Sequence, residues 1–140
     1  MSIQTVAHIN FRGDARPALA FYQSVFGGEL VLLTHAQVYG TSDAAEADLV
    51  SWGRVVSPEG FAVMAYDAPA SRAYDPGQSP FFMSVSGTSN DEITAYWDKL
   101  KADGEILQAL APAGWSPLYG MLKDKFGITW VLDVQNNGAQ

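Results

Sequence analysis

Apolar residues recur along this chain with the spacing of amphipathic helices, and the first such stretch lies near the start. Its apolar stripe at i, i+3, i+4 and i+7 is formed by Ala18, Phe21, Tyr22 and Val25. This spacing places the four side chains on one side of a helix. We expect Asp14 to cap the helix and Gly27-Gly28 to end it, because glycine tolerates the positive φ found just past a helix end.

The same pattern occurs a second time in the other half of the chain. The second stripe follows a Ser89/Asn90 cap and consists of Ile93, Tyr96, Trp97 and Leu100. After the helices, Gly28-Glu29-Leu30 is matched, one residue out of step, by Gly104-Glu105-Ile106. The segments SPEG-FAVMAYD (57–67) and DKFG-ITWVLDV (124–134) also correspond. This shared order predicts an internal duplication.

Short alternating or apolar runs predict eight strands. They lie at 3–12, 29–38, 49–56, 61–66, 81–86, 105–110, 118–122 and 128–134. Segments rich in Gly, Ser, Asp or Pro predict loops at 39–48 and 111–117 and a linker at 68–79. The expected fold is α+β, a single domain of two tandem βαβββ modules, 1–67 and 80–134, with a frayed tail at 135–140.

Each predicted helix covers only one face of its sheet, so the opposite faces must meet each other, a partner chain or a ligand. Antiparallel-rich sheets twist, and we expect these faces to curve into a cup. By strand alternation, the side chains expected to point into it are His8, Asn10, Arg12, Ala62, Met64, Tyr66, Phe82, Ser84, Thr129, Val131 and Asp133.

Composition narrows the classes of function. The chain has 140 residues, 48% of them apolar and 16% charged, which is typical of one globular domain. It has no cysteine, which excludes disulfides and thiolate metal sites. Its formal charge of −7 without a Lys/Arg cluster argues against nucleic acid and anionic membranes as partners. No signal peptide or membrane span is visible, so the cytoplasm is the expected compartment.

Three segments resemble one family: HINFRGDARPALAFYQSVFGGEL near the start, the proline-containing linker at mid-chain, and GWSPLYGMLKDKFGITWVLDV at the end. They look like the PhnB-like branch of the vicinal oxygen chelate superfamily. That superfamily also contains glyoxalase I, the extradiol dioxygenases and the bleomycin and fosfomycin resistance proteins. The resemblance covers nearly the whole chain, and it implies paired βαβββ modules, a homodimer and a cup that holds a small molecule.

The resemblance also implies four positions for a divalent metal, on the first and last strands of each module. His8 fits the first of them, whereas the others fall on Met64, Phe82 (or Pro80 in a shifted register) and Val131. One donor in four does not hold a borderline divalent ion, which needs three or four N or O ligands. His35 and Asp133 are the remaining candidates, although Asp133 sits two residues beyond Val131, roughly 6 to 7 Å along the strand. We therefore expect no catalytic metal and no other cofactor.

The expected binding residues line the cup or its mouth. They are His8, Asn10, Trp52, Met64, Tyr66, Phe82, Trp115, Tyr119 and Val131. His8 is the best candidate for a catalytic group, as a general base, although a histidine on a half-buried strand more often has a hydrogen-bonded structural role. Arg12 beside Asp14 suggests a surface ion pair or, alternatively, an anchor for an anionic ligand.

Three functions remain open from sequence. The first is binding of a small apolar or aromatic molecule without a metal, in a homodimer of the resistance-protein type. The second is a metal-dependent lyase, isomerase or dioxygenase, which only His8 supports. The third is a structural homodimer whose cup is filled by its own side chains. The sequence does not decide whether the protein is an enzyme.

Overall fold

The predicted order of strand, helix and three strands occurs twice in a computed structural model, which describes residues 3–40, 42–77 and 80–135. The first set is β1 His8–Phe11, α1 Ala15–Phe26, β2 Glu29–Thr34, α2 His35–Tyr39, β3 Val50–Val56 and β4 Ala62–Asp67. The second is β5 Met83–Gly87, α3 Asn90–Leu100, β6 Glu105–Ala113, β7 Ser116–Lys123 and β8 Thr129–Val134. The chain divides into two compact units, Met1–Pro76 and Gly77–Gln140, so the division falls inside the predicted linker.

Each unit contains one four-stranded open sheet, and the two sheets have the same topology. The strand orders are β1-β4-β3-β2 and β5-β8-β7-β6. In each sheet the first pair is parallel and the other two pairs are antiparallel. The α+β class and the repeated βαβββ order are therefore confirmed. The module limits stay predictions, and the predicted tail lies outside the described residues except for Gln135.

The core of each unit lies between its long helix and one face of its sheet. The buried residues of α1 are Ala15, Ala18, Leu19, Tyr22, Val25 and Phe26. Phe21, expected in the stripe, is only half-buried, because the helix is turned so that Leu19 faces the sheet. In α3 the buried residues are Ile93, Trp97 and Leu100, and the Ser89 hydroxyl accepts a hydrogen bond from the Glu92 amide as expected of the cap.

Glycine marks the point where each helix crosses its sheet most closely. A Cβ at Gly53 in β3 would lie 2.4 Å from Cδ1 of Leu19, and one at Gly120 in β7 would lie 2.8 Å from the ring of Trp97. The two glycines occupy equivalent positions, since Gly53 pairs with Ala65 in β4 and Gly120 with Leu132 in β8. This shared feature supports the internal duplication.

The segment 29–38, predicted as one strand, splits into β2 and the short helix α2. The Thr34 hydroxyl accepts from the Gln37 amide at 3.2 Å, and the Gln37 side chain accepts from the Thr34 amide at 2.8 Å. This capping box has the sequence signature Thr34-x-x-Gln37, which the apolar character of the run concealed. His35 consequently lies in a helix, buried, with Nε2 3.1 Å from the carbonyl oxygen of Asp67.

The loop predicted at 111–117 is a tight hairpin instead. Ala113 at the end of β6 pairs with Ser116 at the start of β7, which leaves Gly114-Trp115 as the turn. Pro112 suggested a loop, but β6 is an edge strand, where a residue without an amide proton is tolerated. The first strand is also shorter than predicted. It was expected at 3–12, and β1 begins only at His8.

Asp67 joins three parts of the first unit through its buried carboxylate. Its Oδ1 accepts from the amides of Gly13 and Ala15 at 2.7 and 3.0 Å, and its Oδ2 accepts from the amide of Val50 at 3.0 Å. Asp14, the expected cap, makes no side-chain hydrogen bond to α1. The start of α1 is therefore capped from β4, more than fifty residues away in sequence.

Arg12 holds the beginning of the linker against the first unit. Its Nε donates to the carbonyl of Ala68 at 3.3 Å, and its Nη2 donates to the carbonyls of Pro69, at 3.2 Å, and Arg72. The guanidinium also lies 5.3 Å from the ring centre of Tyr74. The suggested Arg12–Asp14 surface pair is wrong, because the guanidinium is committed to the linker backbone.

Replacing Asp67 by Asn tests the first of these networks. The new amide puts an N–H group where an acceptor is needed, so we expect Asp67→Asn to lower the free energy of unfolding by about 2–4 kcal/mol. Urea unfolding followed by circular dichroism measures the loss. Asp14→Asn is the matched control and should change it by less than about 0.5 kcal/mol. Equal effects of the two substitutions would contradict the assignment.

Replacing Arg12 by Ala tests the second network. Without the three hydrogen bonds the linker backbone opens more often, so trypsin should cut after Arg72 at least about five times faster than in the parent protein. Mass spectrometry of timed digests identifies the cut. Arg16→Ala, on the exposed side of α1, is the control that should leave the rate unchanged. An unaltered rate in Arg12→Ala would show that the linker is held by other contacts.

Candidate functional site

The first sheet has one face turned away from α1, and its residues follow from the register. Gly53 faces Leu19 of α1, so its neighbours Trp52 and Arg54 point to the opposite side of β3. In β4 the same alternation leaves Ala62, Met64 and Tyr66 half-buried, while Val63, Ala65 and Asp67 are buried against the helix. We call the helix-free side the open face and define it by His8, Asn10, Trp52, Arg54, Met64 and Tyr66.

The open face is ordered in rows that run across the strands. His8 of β1 and Arg54 of β3 both pair with Met64 of β4, and these three side chains form one row. Asn10 pairs with Tyr66, and Trp52 completes that second row because its neighbour Gly53 pairs with Ala65. The structure thus brings together the five first-unit residues predicted to bind a ligand and adds Arg54, beside Met64 and Trp52.

His8 makes two contacts that define its orientation. Its Nδ1 lies 3.1 Å from Oδ1 of Asn10, and its ring packs edge-on against Tyr66 with 5.3 Å between the ring centres. If Nδ1 carries the proton that it donates to Asn10, Nε2 keeps its lone pair. In that tautomer His8 can accept a proton or a hydrogen bond from a molecule on the open face. A catalytic role for His8 stays a prediction.

Arg54 lies on the open face without a polar partner among the described residues. Its guanidinium carbon is 5.4 Å from the ring centre of Trp52, in a cation–π contact. A cleft of about 520 Å³ borders it and is also lined by Val56, Ala62, Glu29 and the segment 4–6. Strand alternation from Trp52 was the sequence signal that could have identified Arg54.

The second sheet carries a polar and aromatic row of its own. Asp133 of β8 pairs with Ser86 of β5 on one side and with Tyr119 of β7 on the other. The Ser86 hydroxyl donates to Oδ1 of Asp133 at 2.5 Å, and the ring of Trp115 packs edge-on against Tyr119 at 5.2 Å. Val131 lies in the neighbouring row, opposite Ser84 and Met121. Phe82, expected on the first strand of this unit, precedes β5.

The register decides which residues occupy the family's metal positions. His8 pairs with Met64, and the equivalent pair in the second unit is Ser84 and Val131. The predicted position therefore falls on Ser84, because Phe82 and Pro80 both precede β5. An imidazole, a thioether, a hydroxyl and an isopropyl group do not make a divalent-metal site.

The additional candidates do not complete this set. The ring of His35 is hydrogen-bonded to the backbone carbonyl of Asp67, and the carboxylate of Asp133 accepts a hydrogen bond from Ser86. Within 3–40, 42–77 and 80–135, no three His, Asp or Glu residues cluster closely enough to hold an ion. The residues present do not fit the metal that the superfamily implies.

Comparison with known proteins identifies the family. The profile of the Glyoxalase/Bleomycin resistance protein/Dioxygenase superfamily matches residues 5–132, and the chain belongs to this superfamily. It is 27% identical to the protein YjdN of Escherichia coli K12 over 138 residues, which covers 91% of this chain and 92% of YjdN.

No helix in the described part of the chain is long and apolar enough to cross a membrane.

Solved structures share the fold over nearly their full lengths. The protein PA1353 of Pseudomonas aeruginosa aligns with a TM-score of 0.85 and 27% identity, covering 96% of this chain and 98% of PA1353. The PhnB protein of Bacillus cereus, named a putative 3-demethylubiquinone-9 3-methyltransferase, aligns with a TM-score of 0.76 and 24% identity, covering 94% and 99%. The superfamily is confirmed, and the PhnB protein shares the fold of this chain.

Metal analysis of the purified protein tests the donor count. With one good ligand in four positions, we expect less than about a tenth of an equivalent of zinc, nickel, iron or manganese, and no gain after incubation with excess metal and desalting. Inductively coupled plasma mass spectrometry measures the content. A stoichiometric ion that is lost in His8→Ala would contradict the expectation and would favour metal-dependent chemistry.

Proposed function

We propose that this protein binds a small apolar or aromatic molecule on the open face of its first sheet, without a catalytic metal. We place it in the cytoplasm, as a homodimer. The main support for the proposal is the aromatic and thioether surface formed by Trp52, Tyr66 and Met64 beside His8.

This surface has the composition of a ligand site. Trp52, Met64 and Tyr66 are half-buried in their own unit, so each keeps apolar area available for a ligand. Binding sites for small molecules combine such apolar walls with a few polar groups that orient the ligand. Here His8, Asn10 and Arg54 provide those groups. A self-filled structural site would leave no polar group accessible, yet all three of these residues are exposed in the described chain.

The dimer is supported by apolar side chains that a single chain leaves exposed. Ile106 and Leu107 of the edge strand β6 are 49% and 47% exposed, and Trp115 in the adjoining turn is 63% exposed. Large apolar side chains at an unpaired strand edge are typical of surfaces that pair with another chain. The family resemblance also implies a homodimer. Sedimentation equilibrium should therefore give twice the mass of the chain at micromolar concentration.

Binding of the uncharged fluorophore N-phenyl-1-naphthylamine tests the proposed ligand class. We expect saturable binding to the purified protein, and Trp52→Ala should weaken it about five- to tenfold through the lost ring contact. The measurement is fluorescence titration with excitation outside the tryptophan band, after circular dichroism has shown that each variant is folded.

Tyr39→Ala is the control for this titration. Tyr39 is an aromatic residue of the same unit that is 70% exposed on α2, and its ring contacts His35, which is not among the residues of the open face. Its removal should leave the dissociation constant unchanged. Absence of binding in the parent protein would favour a filled, structural role, and equal losses in both variants would show that the probe binds elsewhere.

A further inference from the structure

We infer that the ligand carries an anionic group and that Arg54 selects it, so that the ligand class is a flat or apolar acid such as an aromatic carboxylate, sulfonate or phosphate ester. This assignment rests on the proposed function, because it concerns the same open face. It adds a specificity-determining residue that the sequence pattern did not single out.

The register places the cation on β3, an inner strand of the sheet, beside the apolar residues of the proposed site. Arg54 is next to Met64 in one row and next to Trp52 along β3, so its side chain borders the apolar surface rather than the rim of the unit. Its strand neighbour Gly53 faces α1, which sets the direction of Arg54 toward the open face. A molecule that packs on Trp52 and Met64 therefore lies within reach of the guanidinium.

Arg54 differs from other arginines of its unit in having its donors available. Arg12 donates to the linker carbonyls, and Arg16 donates to the carbonyl of Asp48 at 3.1 Å. In the described part of the chain, Arg54 has no hydrogen bond and no ion pair, and its contact is with the Trp52 ring. Its unused N–H groups form the planar fork that matches an oxyanion in two-point contact.

The acidic residue in the neighbouring cleft does not neutralise Arg54. Glu29 lines the same cleft, but no ion pair joins the two side chains, since within the described ranges the ion pair is Lys101–Asp98. Glu29 pairs with Val56, which follows Arg54 by two residues along β3. The guanidinium lies over the ring of Trp52, which precedes Arg54 by two residues. Stacking on Trp52 holds the cation in place without using its hydrogen-bond donors.

The net negative charge of the chain means that an anionic ligand is selected only by direct contact with Arg54. At a formal net charge of −7, the protein as a whole repels anions, so long-range attraction does not supply affinity for an acid. Selection must come from a guanidinium in direct contact with the ligand. Removal of Arg54 should therefore affect a charged ligand and leave its uncharged analogue nearly unaffected.

Two fluorophores that differ by one sulfonate provide the test. The anionic 8-anilinonaphthalene-1-sulfonate and the uncharged N-phenyl-1-naphthylamine are titrated into the parent protein, Arg54→Met, Arg54→Lys and the charge-matched control Arg16→Met. We expect Arg54→Met to weaken binding of the sulfonate about tenfold and that of the uncharged probe less than twofold. Arg54→Lys should retain part of the sulfonate affinity, and Arg16→Met should change neither.

Each outcome separates this inference from the function on which it rests. Equal changes for both probes in Arg54→Met would overturn the anion assignment and leave binding of apolar molecules intact. Sulfonate binding that is lost equally in Arg16→Met would attribute the effect to net charge and would also overturn it. If neither probe binds the parent protein, both proposals fail. Selective loss of the sulfonate in Arg54→Met alone supports the assignment.

Discussion

The buried carboxylate of Asp67 is the group on which the geometry of the first unit depends. It accepts hydrogen bonds from the turn before α1 and from the first residue of β3, while its own strand, β4, pairs with both β1 and β3. These are the three strands that carry the open face. A buried carboxylate is stable only when its lone pairs are satisfied, so this interaction holds the strands and the helix start in one arrangement.

The second unit has the same topology, but its buried carboxylate lies at a different position of the sheet. The position equivalent to Asp67 is Val134, whereas the position equivalent to Ser57 is Asp124, at the other end of the sheet. The buried Asp124 accepts from the amides of Phe126 and Ile128 and from the indole of Trp130 at 2.8 Å. The two copies therefore share their apolar pattern and close helix crossings, while the buried anion has moved. The internal duplication is therefore visible in the apolar pattern of the two units, whereas their buried polar contacts differ.

The positions where the superfamily implies metal ligands carry other chemistry in this chain. The equivalent positions His8, Met64, Ser84 and Val131 hold one good metal ligand. In the first unit, His8 and Met64 lie beside the ring of Tyr66 and a guanidinium stacked on indole. This difference underlies the proposal of a binding protein whose specificity depends on Arg54.

Local patterns in the sequence were sufficient for the elements of the fold. The two apolar stripes, the glycine stops and the hairpin turns predicted both long helices, the order of elements along each unit and the α+β class, because each signal lies within a few residues. The superfamily followed from motifs of the same kind. The Thr34-x-x-Gln37 capping box was also local, but the apolar run around it favoured a strand.

Only the tertiary structure decided which side chains meet. The cap of α1 by Asp67, the commitment of Arg12 to the linker and the position of Ser84 opposite Val131 each depend on a pairing between segments more than forty residues apart. Strand register determines these contacts, and a shift of one residue turns every side chain to the other face. The sequence alone thus determined the elements and the family, while the register brought Arg54 beside Met64 on the same face as His8.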